Sequence, residues 1–377
     1  MNTVFKLGFA LSALLLPLAA HTSDWCLQLD TRYAPHADWS GLLDLASHEH
    51  NPSTFSVWWR SPAEIRAARA PGARPLSGLH LALDPGHIGA DWAEAEGRHF
   101  KMNERDYAVR EGELVLEVAQ RVRDALVQLG AEVSLLREAN QPVNPREPID
   151  YLDEVVQATP IPEASSLAAL VDYSAVIRQG LLKRSVVRGE LIERARLVNE
   201  VLQPDAILSL HINAAPWPRD AAGERVFDLV DANHTHVLIF GCLSEAELSS
   251  SQQRAQLLEK LSNGSGAIEK ALGQSLGVTL GQASDLPASK YEGQHAVRLP
   301  GATPYLWARN LMLLRQVKCP IVLLEPYIAN SKVTYARLQQ ALDERARGAD
   351  LSDDDILIEY AGAVVEGVLA VYGSGED

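Results

Sequence analysis

The sequence predicts an α/β fold: a mostly parallel, mixed, twisted sheet with helices on both faces, forming a single domain with two insertions. Two observations carry this expectation. Short apolar runs alternate with helical periodicities from residue 76 onward, the pattern of strands joined by covering helices. Three of those runs also end in a polar, chemically capable residue, and ligands in such sheets bind beyond the carboxyl ends of the strands. A chain of 377 residues with ordinary apolar and charged content can bury a core of that size.

Residues 79–83 form a short apolar run stopped by Asp84-Pro85-Gly86, a strand followed by a turn. Residues 111–129 place Val115, Val118, Val122, Ala125, Leu126 and Leu129 on one helical stripe, with Gly130 ending the helix. Residues 131–136 then read as the second strand. A helix over 189–202 leads through Pro204 into a strand at 206–210. Further strands are expected at 237–240 and 321–324. A last helix runs from Ser352, an N-cap followed by three aspartates that suit the helix dipole, to Tyr372.

Three segments lie outside this rhythm. Residues 1–20 hold one Lys, an apolar stretch and small residues before His21, the order of a secretory signal peptide. Pro17 interrupts a run already short of the twenty or so apolar residues of a membrane span, so an exported, periplasmic or extracellular protein without a span is expected. Residues 21–75, with four tryptophans and a Pro/Gly-rich tail, read as an N-terminal extension of unassigned role, in which His48-Glu49-His50 is a solvated loop. The catalytic domain then covers 76–373, with insertions at about 138–190 and 243–308. The first holds five prolines and an amphipathic stretch from Ser166, and its position at the sheet rim suggests a lid over the groove.

A net charge of −15 offers little counterion-release energy, so nucleic acid is not an expected partner. Three cysteines, Cys26, Cys242 and Cys319, permit one disulfide in an exported chain. Cys242 and Cys319 could pair if their strands run antiparallel. No spacing of cysteines supports a metal site.

The chemistry gathers at the strand ends: His87 after Asp84-Pro-Gly, His211 and Asn213 in Ser209-Leu-His-Ile-Asn-Ala214, and Glu325 after Leu323-Leu324. Glu111 sits in register with the buried stripe of its helix, four before Val115, whereas Glu113 falls on the solvated face. A carboxylate on a core-facing position is costly unless paired or bound to metal. Two imidazoles and one carboxylate make up the ligand set of open catalytic zinc sites, which leaves Glu325 as a base or as a partner of Arg309.

These stretches resemble the zinc-dependent N-acetylmuramoyl-L-alanine amidases of peptidoglycan. The carriers are Gly86-His87-Ile88-Gly89-Ala90-Asp91, the Glu111-led helix with Leu135-Leu136-Arg137, then Arg194, Asn199, Asp205 and Ser209-Leu-His-Ile-Asn-Ala214, and finally Pro320-Ile-Val-Leu-Leu-Glu325-Pro-Tyr-Ile-Ala-Asn330. Ile88 and Pro326-Tyr327 depart from the family's glycines and Gly-Phe. The resemblance implies one Zn2+ per chain on His87, Glu111 and His211, and Glu325 as general base then acid. It also implies peptidoglycan as substrate; Asn213 and Asn330 are candidate supporting or substrate contacts, and Arg309 a candidate substrate contact. A protein activator is left open. A zinc peptidase acting within the stem peptide, or a non-catalytic peptidoglycan-binding regulator, would share the same fold.

Overall fold

The computed structural model describes residues 24–42, 57–163, 166–352 and 354–373. The expected signal peptide at 1–20 and His48-Glu49-His50 lie outside the described residues. Nine strands form among the described residues: β1 (His80–Pro85), β2 (His99–Phe100), β3 (Val109–Arg110), β4 (Glu132–Leu135), β5 (Ala206–Leu210), β6 (His236–Phe240), β7 (Val297–Arg298), β8 (Leu306–Arg309) and β9 (Ile321–Glu325). Seven of them make one sheet in the order β4-β1-β5-β9-β6-β8-β7. Strands β4, β1, β5 and β9 are parallel, β6 runs antiparallel to β9, and β8 follows β6. The expected mixed, mostly parallel sheet is therefore present, and all five expected strands lie in it. Strands β7 and β8 are additions. In β8 the inward positions are Leu306 and Ala308, too weakly apolar an alternation to read as a strand.

The helices that matter for the site are α1 (Trp92–Glu96), α2 (Glu111–Gln128), α3 (Leu167–Lys183), α4 (Glu190–Arg196), α5 (Ser251–Ser262), α6 (Ser265–Ser284), α7 (Lys332–Arg347) and α8 (Ile356–Tyr372). Helices α2, α6 and α8 cover one face of the sheet; Val115, Val118, Ala119, Val122 and Leu126 of α2 are fully buried there. Gly130, at φ +103°, turns the chain out of α2 in a conformation that a side chain would oppose. Asp355, not Ser352, caps α8, because its carboxylate reaches both the Leu357 and Ile358 N–H groups. Helix α3 runs on through residues 184–189 and α4 to Leu202, right-handed helical at every junction. The first insertion thus lengthens the helix before β5. Among the described residues, no helix is long and apolar enough to cross a membrane.

The opposite face is covered by α5 and by the N-terminal extension, whose Leu29, Tyr33, Leu42 and Trp59 are buried. Arg32 explains why this segment is held so firmly. Continuing the β6–β9 register beyond Leu238 and Leu323 would set Phe240 opposite Ile321 and Cys242 opposite Cys319. The two strands part instead, and a buried ion triad fills the gap. Arg32 donates to the Phe240 carbonyl (2.9 Å), Lys260 to the Cys319 carbonyl (3.0 Å), and both cations pair with Glu269, which is fully buried. Cys242 and Cys319 are accordingly free thiols, although their strands are antiparallel. Burial alone would raise the Glu269 pKa, but Lys260 and Arg32 outweigh it and hold the group below 4.5.

Glu269→Ala should therefore leave two buried cations unpaired and cost about 3–5 kcal/mol, read as a lowered urea midpoint. A shift under about 1 kcal/mol would mean that water reaches the triad. Because the folded pKa is depressed, this stabilisation is complete above the unfolded value near 4.5 and is lost as pH falls through the folded one.

Candidate metal centre and the adjoining glutamate

Strands β1 and β5 are parallel neighbours, so the turns after their carboxyl ends deliver His87 and His211 to the same edge of the sheet. The turn after β1 is strained: His87 and Ala90 have φ of +54° and +48°, and Gly89 has +90°. Two buried arginines hold it by its carbonyls. Arg194 donates to Pro85 O and His87 O (both 2.8 Å), and Arg137 to Pro85 O and Gly86 O (3.0 and 3.2 Å). Arg194 is itself fixed by Asp84 and Glu190, and the other Asp84 oxygen accepts from Ser209 Oγ at 2.6 Å. The sequence-level match at Arg137 and Arg194 thus corresponds to one support beneath the histidine turn.

Two glycines permit the close approach. A Cβ on Gly86 would lie 2.3 Å from the His211 ring, and one on Gly112 would lie 2.4 Å from the Gly89 nitrogen. Gly112 follows Glu111 at the start of α2, so its missing side chain lets the helix end press against the turn. Glu111 then reaches both histidines: its Oε2 is 3.3 Å from His87 Nε2, and its Oε1 is 3.0 Å from His211 Nδ1 and accepts from Ile212 N at 3.1 Å. One ligand atom from each of the three residues lies within 4.8 Å of the others. Glu111 is buried, which by itself would raise its pKa, yet His87 and His211 outweigh burial and bring it to about 2. It is an anion at any working pH, and this donor set could hold a metal ion.

Glu325 ends β9 next to His211, whose N–H donates to the Leu324 carbonyl at 2.9 Å. Burial pushes its pKa up, but His236 and His211 hold it below 4.5. The partner beside the carboxylate is His236, with Nε2 3.5 Å from Oε2. Among the described residues Arg309, a candidate partner of Glu325 or substrate contact, makes no ion pair with Glu325. Strand β8 runs against β9, so Arg309 is level with Phe240, and its guanidinium lies over the Tyr291 ring. Asn213 is half-buried, and its Oδ1 accepts from Ala214 N. Asn330 is buried, with both ends of its amide bound to the Ala215 backbone (2.9 and 3.0 Å), which makes it a support of the loop after β5.

Three residues escaped the sequence reading. Glu96 of α1 binds His87 Nδ1 at 3.2 Å and Ile88 N at 2.9 Å. Glu113 leaves the solvated face assigned to it and accepts from Ala90 N at 3.0 Å. His236 heads a wholly buried strand, and a polar residue in that position was the available signal. Beside Glu111 a cavity opens between Arg98, Phe100, Val109, Trp217 and Ala329, and no described residue of 138–190 lines it.

A family pattern described as N-acetylmuramoyl-L-alanine amidase matches residues 81–350, most of the chain. The chain is 29% identical over 98 residues to a probable cell wall amidase, LytH, of Staphylococcus saprophyticus, covering 26% of this chain and 31% of the relative. It is 41% identical over 75 residues to a germination-specific N-acetylmuramoyl-L-alanine amidase of Bacillus subtilis, covering 20% and 27%. The matched stretches thus span about a third or less of these curated relatives. The crystal structure of the amidase Ami1 of Mycobacterium smegmatis aligns with 80% of this chain and all of its own, at 18% identity and a TM-score of 0.43. With the pattern extending from β1 past β9, this chain belongs to the N-acetylmuramoyl-L-alanine amidase family.

Proposed function

We propose that the protein is an exported, zinc-dependent cell-wall hydrolase. Its bond is the amide between the lactyl group of N-acetylmuramic acid and the L-alanine of the peptidoglycan stem peptide. The observation that carries this reading is the convergence of His87, Glu111 and His211, with Glu325 at the next strand end. The donor set suits zinc. Ligand atoms about 2.0–2.2 Å from a tetrahedral ion lie about 3.3–3.6 Å apart, and His87 Nε2 and Glu111 Oε2 are 3.3 Å apart. Three protein donors leave one position for the reaction.

When bound, zinc supplies a Lewis acid that polarises a carbonyl and lets water ionise near neutral pH. The remaining work belongs to the chain. Glu96, bound at His87 Nδ1, orients that ring and leaves Nε2 for the metal. Glu325, ionised at neutral pH, accepts the proton of the attacking water and passes it to the departing amine nitrogen. Asn213, at the rim beside His211, is assigned to substrate, while Asn330 serves it through the loop it holds. The cavity beside Glu111, with Phe100 and Trp217 in edge contact at 5.3 Å, gives the substrate an apolar wall.

Mass spectrometry of purified sacculi incubated with the zinc-loaded chain tests this reading. Intact stem peptides with a free L-alanine amino group should appear, and a chelator should abolish them. Fragments cut within the stem would instead identify a peptidase.

A further inference from the structure

We propose that His236 is the positioning residue of Glu325, holding its carboxylate in the orientation from which it takes the proton. This rests on the role given to Glu325 above. The placement follows from the backbone. In the antiparallel pair β6–β9, His236 is directly opposite Glu325, and directly opposed residues project their side chains on the same face about 5 Å apart. His236 is 2% exposed, and its Nε2 lies 3.5 Å from Glu325 Oε2 and 2.9 Å from Tyr291 Oη. Among the described residues it is the one side chain within ion-pair distance of that carboxylate.

The proton on the imidazole is placed by burial. His236 Nδ1 is buried with no hydrogen-bond partner, and a buried N–H without an acceptor is a costly arrangement. The ring therefore carries its hydrogen on Nε2, which meets the Tyr291 hydroxyl at 2.9 Å and has the Glu325 carboxylate 3.5 Å away. Tyr291 fixes the ring. It meets His236 edge-on at 5.4 Å, is braced by Trp307 at 5.1 Å, and carries the Arg309 guanidinium over its face at 5.8 Å. Tyr291 lies in the second insertion and Trp307 and Arg309 in β8, so the segment that departs most from the expected rhythm is the one that braces the base. A base transfers a proton efficiently only from a fixed geometry, and an adjoining donor locked by packing supplies it.

The test uses the full, zinc-loaded chain with a soluble muropeptide, measuring kcat, KM, zinc per chain and Tm. His236→Leu, which keeps volume but no donor, should lower kcat about 10- to 100-fold with KM within about twofold and zinc unchanged. His236→Gln, which can present an N–H close to the Nε2 position, should recover about tenfold of that loss. Should the Leu variant not fold, His236→Asn, too short to reach Glu325, replaces it in the comparison with Gln. A donor-less variant with kcat within about twofold of wild type would overturn the assignment, as would Gln and Leu variants equally slow and equally lowered in Tm. A wild-type chain that releases no stem peptide would overturn the underlying role of Glu325, whereas an active wild type with an indifferent His236 would overturn this proposal alone.

Discussion

Glu325→Gln is expected to lower kcat by about 10²- to 10⁴-fold while zinc content and binding to sacculi stay at wild-type levels. Glutamine fills the same volume at the end of β9 but accepts no proton, so the loss isolates the transfer step from folding and from metal binding. Glu325 suits the role because it is half-buried without being neutral: desolvation pushes its pKa up, and His236 and His211 bring it below 4.5. It is thus a carboxylate over the whole neutral range, and among the described residues no arginine pairs with it. Single-turnover release of stem peptide, measured beside zinc content, checks the result. A Glu325→Gln chain that turns over near the wild-type rate would make the residue a structural neighbour of His211, and the base would have to be sought elsewhere.

His87→Ala and His211→Ala should each remove most of the zinc, from about one ion per chain, and with it the activity. Two donors, one of them a carboxylate that already accepts from Ile212 N, give a far weaker site than three. Elemental analysis after dialysis reads the stoichiometry directly, and full retention in both variants would place the ligands elsewhere. The same site predicts a pH dependence of loading. Metal needs a neutral imidazole. In the metal-free chain burial would lower the His211 pKa, but Glu111 outweighs burial and raises it above 6.5. Zinc must displace that proton, so affinity should fall by about tenfold per pH unit below the raised pKa, and a flat affinity through this range would remove His211 from the ligand set.

Much of the site was legible because its residues are tied to local patterns. The stripe from Val115 to Leu126 separated Glu111 from Glu113, since a helix of 3.6 residues per turn leaves one of them facing the core. His87, His211 and Glu325 were legible because each follows an apolar run with no intervening helix, and parallel strands bring such ends together. The cysteine pairing was not legible, even though the antiparallel condition it required is met. Whether two opposed residues meet depends on what enters between the strands, and Arg32 and Glu269 come from segments far away in sequence.

The sequence by itself determined which strand ends carry the chemistry and which helix carries Glu111, because these depend on periodicity and on backbone conformation within a few residues. Only the tertiary structure decided the supports: Glu96 on His87, Arg137 and Arg194 under the turn, Asn330 on its loop, and His236 beside Glu325. It also set the Arg309 guanidinium over the Tyr291 ring instead of on the Glu325 carboxylate, since β8 pairs with β6 and not with β9. Such partners are chosen by which strands become neighbours and which way they run. That choice is made by burying both faces of the sheet at once, a condition on the whole chain that no short stretch of residues encodes.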